Sequence, residues 1–153
     1  HHETDETHEP PVAHESHFHV TSPNHVYIVH PMNRFLLVCI GGGLGSGARY
    51  AVGLLAARWN ATSLPYATLT VNIMGAFLIS IVMGLTLRGQ DISPELKLFL
   101  STGVMGGFTT FSTFSMETVT LAQRGQWTAA ALYVALSLLC GLGATALGIA
   151  LMR

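Results

Sequence analysis

Gly106-Gly107-Phe108-Thr109-Thr110-Phe111-Ser112-Thr113-Phe114 sits in the middle of an apolar run, yet it does not read as a plain lipid-facing helix. Two adjacent glycines weaken a helix locally. The hydroxyls of Thr109, Thr110, Ser112 and Thr113 bring donors and acceptors to a depth where lipid offers none. The stretch predicts a helix break over Gly106 to Thr109, lining a polar path through a membrane. If helix resumes beyond the break, Phe111 and Phe114 share a face. Their ring edges carry positive potential, so they can line an anion's route without the tight hold of a lysine. One turn further, Glu117 is the only acid inside a predicted helix body, and it reads as a proton carrier, a gate or a snorkelling end residue.

The rest of the chain suits that reading. It is 50% hydrophobic and only 10% charged, with a mean hydropathy of +0.47, whereas a soluble domain is about 25% charged. The charge is also unevenly placed. Residues 1–31 hold all eight histidines together with Glu3, Asp5, Glu6, Glu9 and Glu15, and beyond them the only acids are Asp91, Glu95 and Glu117. The early stretch is polar, proline-containing and without a hydrophobic period, so a disordered, His-rich extension is expected. His14, His17, His19 and His25 lack the Cys partners or helical spacing that would organise a metal site. No signal-peptide pattern is present in it. Cys39 and Cys140 fall inside apolar runs and imply no disulfide.

From residue 32 to 153 the pattern is four long apolar runs, Arg34 to Ala57, Pro65 to Leu87, Glu95 to Ala122 and Trp127 to Met152. Each exceeds the ~20 residues needed to cross a bilayer, so an all-α membrane domain of four transmembrane helices is expected, with a break in the third. The links carry Asn60, Gly89, Asp91, Ser93 and Gly125, with Pro65 and Pro94 at helix starts. Trp59, Tyr66 and Trp127 stand where interfacial aromatics belong. Arg34, Arg88, Lys97 and Arg153 fall on one side and Arg58 and Arg124 on the other. So small a bias lets both orientations insert and makes an antiparallel dimer feasible.

Three further features bear on function. In the first run, Gly41/Gly45 and Gly43/Gly47 are small-xxx-small pairs suited to close helix packing. Arg49 beside them either snorkels or faces an anion or a dimer partner. In the second run, Asn72 is the one strongly polar side chain, with Thr68 and Gly75 on its face. It serves either an interhelical hydrogen bond or a pore lining, and the stripe favours the pore. In the fourth, Tyr133, Ser137 and Gly141 recur at intervals of four, a small, polar face suited to a pore or a close neighbour.

Gly43 to Tyr50, Thr68 to Phe77 and Gly106 to Ser115 together resemble the three signature motifs of the Fluc (CrcB) fluoride channels. The resemblance covers residues 32–153 in the right order, and the third motif is the most specific. It implies a dual-topology antiparallel homodimer in the plasma membrane that exports fluoride passively. It also implies that Asn72, Phe111, Phe114, Ser112, Thr113 and Tyr133 form the fluoride pore. Glu117 would match an acid near the pore mouth, with Arg49 in a gating or structural role, and backbone carbonyls of Gly106 and Thr109 would hold a structural sodium ion at the dimer centre. Ala67 and Ser80 stand where the second motif often has glycine, which bears on local packing.

Two other function classes fit parts of the pattern. A small dual-topology, proton-coupled exporter of organic cations needs a carboxylate near mid-membrane, for which only Glu117 is a candidate. A non-transporting membrane assembly protein needs only the glycine stripes and leaves Asn72 and the Thr/Ser/Phe stretch without a purpose. No nucleophile–base pair, metal cluster or cofactor fingerprint appears in residues 32–153, so neither an enzyme nor a nucleic-acid partner is expected.

Overall fold

The computed structural model describes residues 31–58 and 64–152; the His-rich stretch, Trp59, Asn60 and Arg153 lie outside them. The described residues are helical, with no strand among them. Three long helices are α1 (Pro31–Ala57), α2 (Tyr66–Leu87) and α6 (Trp127–Leu151), each long and apolar enough to cross a membrane. Between α2 and α6 the third apolar run is jointed. It comprises α3 (Pro94–Leu98), a π-helical stretch Phe99–Met105, α4 (Gly106–Phe108) and α5 (Phe111–Gln123). No single piece of it reaches membrane length, so by themselves three helices qualify where four were expected.

Local chemistry sets these ends. Ser93 caps α3 by accepting from the Leu96 amide at 3.2 Å, and Pro94 sits in the first turn, where its missing N–H costs nothing. α2 and α5 both close on a glycine with positive φ, Gly89 at 72° and Gly125 at 76°. At each, the next amide reaches back five residues, Gln90 to the Leu85 carbonyl at 3.2 Å and Gln126 to the Leu121 carbonyl at 3.0 Å. This is the Schellman arrangement, which satisfies carbonyls a helix end would otherwise orphan.

The packing has a consistent sense. α1 runs alongside the jointed segment in the same direction, from the Arg34–Glu95 ion pair at 3.3 Å to the Arg49–Gly107 hydrogen bond. Gly41 and Gly45 form the seam between them: a Cβ on Gly41 would lie 2.9 Å from the Gly103 Cα, and one on Gly45 would run into the Val104 carbonyl oxygen. Gly43 and Gly47, the other pair at the same spacing, have nothing near them. α2 runs against the jointed segment in the opposite direction, Thr68 meeting Glu117 and Gly75 meeting Thr109. α2 and α6 run together: Leu69 packs beside the buried cluster of Leu121, Ala130 and Tyr133, and Gly84 meets Met152. Ser80, 2% exposed, gives its hydroxyl to the Phe77 carbonyl at 2.6 Å and faces Gly148. The larger residue on α2 is thus matched by a glycine across the seam.

Candidate functional site: the helix break and its two clefts

The break falls at Thr109 and Thr110, whose backbones are extended (φ −80°, ψ 159° and φ −152°, ψ 111°), and not at the glycine pair. Gly106 and Gly107 remain helical. Gly107 is needed for approach instead, since a Cβ there would strike the Gly42 carbonyl oxygen. β-branched threonine suits extended backbone, and its hydroxyl caps the helix that follows. Thr110 Oγ1 accepts from the Thr113 amide at 3.2 Å, donates to Thr113 Oγ1 at 2.9 Å and lies 3.3 Å from Ser112 Oγ.

Asn72 holds this break from α2. Its Oδ1 accepts from the Thr110 amide at 2.8 Å, and its Nδ2 donates to the Thr110 carbonyl at 3.2 Å. The interhelical hydrogen bond that the sequence offered as one of two roles is therefore present, made to backbone. A carboxamide can donate twice through its nitrogen, so one Nδ2 hydrogen remains beyond this clasp.

Diverting these amides has a consequence for the carbonyls. In an unbroken helix the Thr110 amide would close on the Gly106 carbonyl and the Thr113 amide on that of Thr109. Here the first goes to Asn72 and the second to Thr110 Oγ1. The two carbonyls that the family resemblance expects to ligate a cation are thus among those from Gly106 to Thr109 that lose their helical donors at the break. The Gly107 carbonyl, by contrast, accepts from Arg49 Nε at 3.2 Å and Ser46 Oγ at 3.4 Å. Arg49 therefore bonds inward to the break.

A cleft with several polar side chains in a largely apolar lining lies on each side of Thr110. One, about 420 Å³, is walled by Ser46 and Arg49 of α1, Thr68 of α2 and Thr110, Thr113 and Glu117. The other, about 380 Å³, lies between Asn72 and Gly75 of α2 and Ser101, Gly106, Thr109 and Phe111. At the far end of the first, Glu117 is held by two hydroxyls: Thr68 Oγ1 donates to its Oε1 at 2.9 Å and Tyr133 to its Oε2 at 2.7 Å. One acid thus ties α2, α5 and α6 together. Tyr133 is fully buried, its ring 5.2 Å from that of Phe114, which in turn lies 5.7 Å from Phe111. Phe111 is 80% exposed.

The predicted residues therefore gather into two linked groups, Asn72 with the threonines of the break and Glu117 with Tyr133 and Phe114. Ser112 is exposed at the edge of the first. Thr110 and Thr68 carry more of the site than their place in the sequence suggested. Thr110 was legible as a cap three residues before Thr113, and Thr68 as the residue one turn before Asn72 on the same face. Ser137, one turn beyond Tyr133, has a buried hydroxyl with no partner among the described residues.

Residues 36–149 match the family described as "CrcB-like protein, Camphor Resistance (CrcB)". A protein of Rhodospirillum centenum named fluoride-specific ion channel FluC is 46% identical over 122 residues, 80% of this chain and 97% of that protein. Bearers of the same name in Anaeromyxobacter sp. (strain K) and Agrobacterium fabrum are similar as well. The first is 48% identical over 103 residues (67% of this chain, 82% of that protein), and the second 44% over 122 residues (80% and 98%).

Proposed function

Because the chain belongs to the CrcB-like family, we propose that it is a fluoride-specific channel of the plasma membrane, through which fluoride leaves the cytoplasm passively. The observation that carries this reading is the Asn72–Thr110 clasp, which holds a helix open between two clefts that each carry polar side chains. Fluoride is small and strongly hydrated, so a selective path must replace water's donors at close range. Donors remain for it: the second Nδ2 hydrogen of Asn72 and the Thr113 hydroxyl, which only accepts from Thr110. Phe111 and Phe114 offer ring edges beside them.

In this reading the jointed segment is a fourth transmembrane span. It lies beside α1 from the Arg34–Glu95 pair to Gly107 and continues past the break to Glu117 beside the start of α2. The functional unit is an antiparallel homodimer, supported by the weak charge bias of the links and by the breadth of ring that Phe111 leaves exposed. The Gly106 and Thr109 carbonyls suit a sodium ion shared by the two copies, since both have lost their helical donors and broken helices present carbonyls to sodium in this way. When bound, that ion supplies fixed positive charge near the anion path.

An organic-cation exporter is disfavoured: Glu117 has both oxygens engaged, and Arg49 lines the same cleft. A passive assembly protein leaves the Asn72–Thr110 clasp without a purpose.

The test is anion efflux from liposomes containing the purified protein, read with fluoride and chloride electrodes. Fluoride efflux well above that of empty liposomes, without matching chloride efflux, is expected, and equal flux of both anions would falsify the assignment. Phe111→Ile is expected to slow fluoride efflux at least about tenfold, roughly 1.4 kcal/mol, while the protein elutes as wild type does. Tyr133→Phe keeps the buried ring but strips Glu117 of one donor. Flux is expected to fall with a stability loss of only about 1 kcal/mol, measured by thermal melting in detergent.

A further inference from the structure

Glu117 borders a second recess besides the cleft it shares with Arg49. This recess, about 320 Å³, opens where α5 ends and α2 begins, lined by Pro65, Met116, Glu117, Thr120, Leu121 and Arg124. Glu117 lines both spaces and so stands between them. Arg124 follows the last residue of α5, and its amide bonds back to that helix, fixing where the side chain starts. The side chain is exposed and forms no ion pair among the described residues, in contrast to Arg34.

We propose that the recess is the mouth of the anion path and that Arg124 is its collecting charge, raising the local concentration of a small inorganic anion before it reaches Glu117. The inference rests on the fluoride-channel reading. The chemistry asks for such a group. An anion arriving at Glu117 meets a carboxylate, which repels it, and the hydroxyls of Thr68 and Tyr133 offset that charge only in part. Arg124 lies seven residues further along the chain, about 10 Å along a helix axis. That is close enough to offset the repulsion at low ionic strength and far enough to be screened at high. Because its guanidinium is exposed, it attracts without holding the anion.

Arg124→Gln and Arg124→Lys are to be compared with wild type for fluoride efflux from liposomes at low fluoride, at about 10 mM and about 500 mM ionic strength. Arg124→Gln is expected to lose about two- to fivefold in rate at low salt and to match wild type at high salt, with Arg124→Lys close to wild type at both. Its melting temperature in detergent is expected to stay unchanged. A stronger test restores the charge: Arg124→Cys in a background carrying Cys39→Ala and Cys140→Ala, modified before reconstitution. Aminoethyl methanethiosulfonate, which is cationic, is expected to raise the low-salt rate, and sulfonatoethyl methanethiosulfonate, which is anionic, to depress it. If wild type conducts fluoride but Arg124→Gln matches it at low salt, or its deficit persists at high salt, or both reagents act alike, the collecting role is overturned while the channel reading stands. If wild type itself carries no fluoride, it is that reading which fails.

Discussion

Asn72→Asp is expected to cut fluoride flux about a hundredfold while leaving a protein that can still be purified. The substitution is nearly isosteric, so volume is not the issue. A carboxylate at this position can still accept from the Thr110 amide, now bonded at 2.8 Å, but it faces the Thr110 carbonyl with a second acceptor where Nδ2 donates at 3.2 Å. One contact turns from attraction to repulsion, and the hydrogen that Asn72 keeps for the anion is lost with it. The added negative charge repels fluoride directly. Losing one such bond costs about 1–2 kcal/mol of stability, modest against the whole fold. The effect on efflux is expected to reach about a hundredfold, because geometry, donor and charge fail together. Fluoride-electrode efflux and thermal melting of the same preparation separate the two, and normal flux from Asn72→Asp would remove the clasp from any account of conduction. Asn72→Leu complements it, deleting both hydrogen bonds without adding charge; retained flux there would assign the Asp effect to charge alone.

The long helices were legible because hydropathy and turn residues are local properties. α1, α2 and α6 begin and end within a few residues of the predicted runs, with Gly89 and Gly125 in the positive-φ positions their links required. The break was legible in kind, but its place overlaps the expected Gly106 to Thr109 only at Thr109. A glycine pair weakens a helix, but it also lets backbones touch, and sequence does not say which use prevails. Here Gly107 lies against the Gly42 carbonyl, packing that keeps it helical, while Thr109 and Thr110 take the extended backbone because Asn72 and the Thr110 hydroxyl replace the helix's own partners. Glu117 was singled out as the lone acid in a helix body, but its partners come from two other helices. No spacing along the chain brings Thr68 and Tyr133 to its two oxygens.

The glycines of α1 supply the sharpest remaining contrast, because two pairs share one spacing and only one packs against another helix among the described residues. Gly45 faces the jointed segment so closely that a methyl group would enter the Val104 carbonyl oxygen and lie 2.8 Å from the Phe108 amide nitrogen. Both are backbone atoms that cannot rotate aside, so α1 must move away. That motion would also pull Ser46 and Arg49 from the Gly107 carbonyl, the only side-chain hydrogen bonds to α4 from α1 among the described residues. Overpacking of this kind typically costs about 1–3 kcal/mol, and with those bonds lost Gly45→Ala is expected at or above the top of that range. Gly45→Leu is expected to yield no monodisperse protein. Gly47→Ala, with nothing within 4 Å of the new methyl group, is expected to melt as wild type does. Thermal melting in detergent and elution profile decide the matter. Equal behaviour of Gly45→Ala and Gly47→Ala would mean that α1 does not pack on the break through Gly45, and the placement of Arg49 beside Thr110 would fall with it.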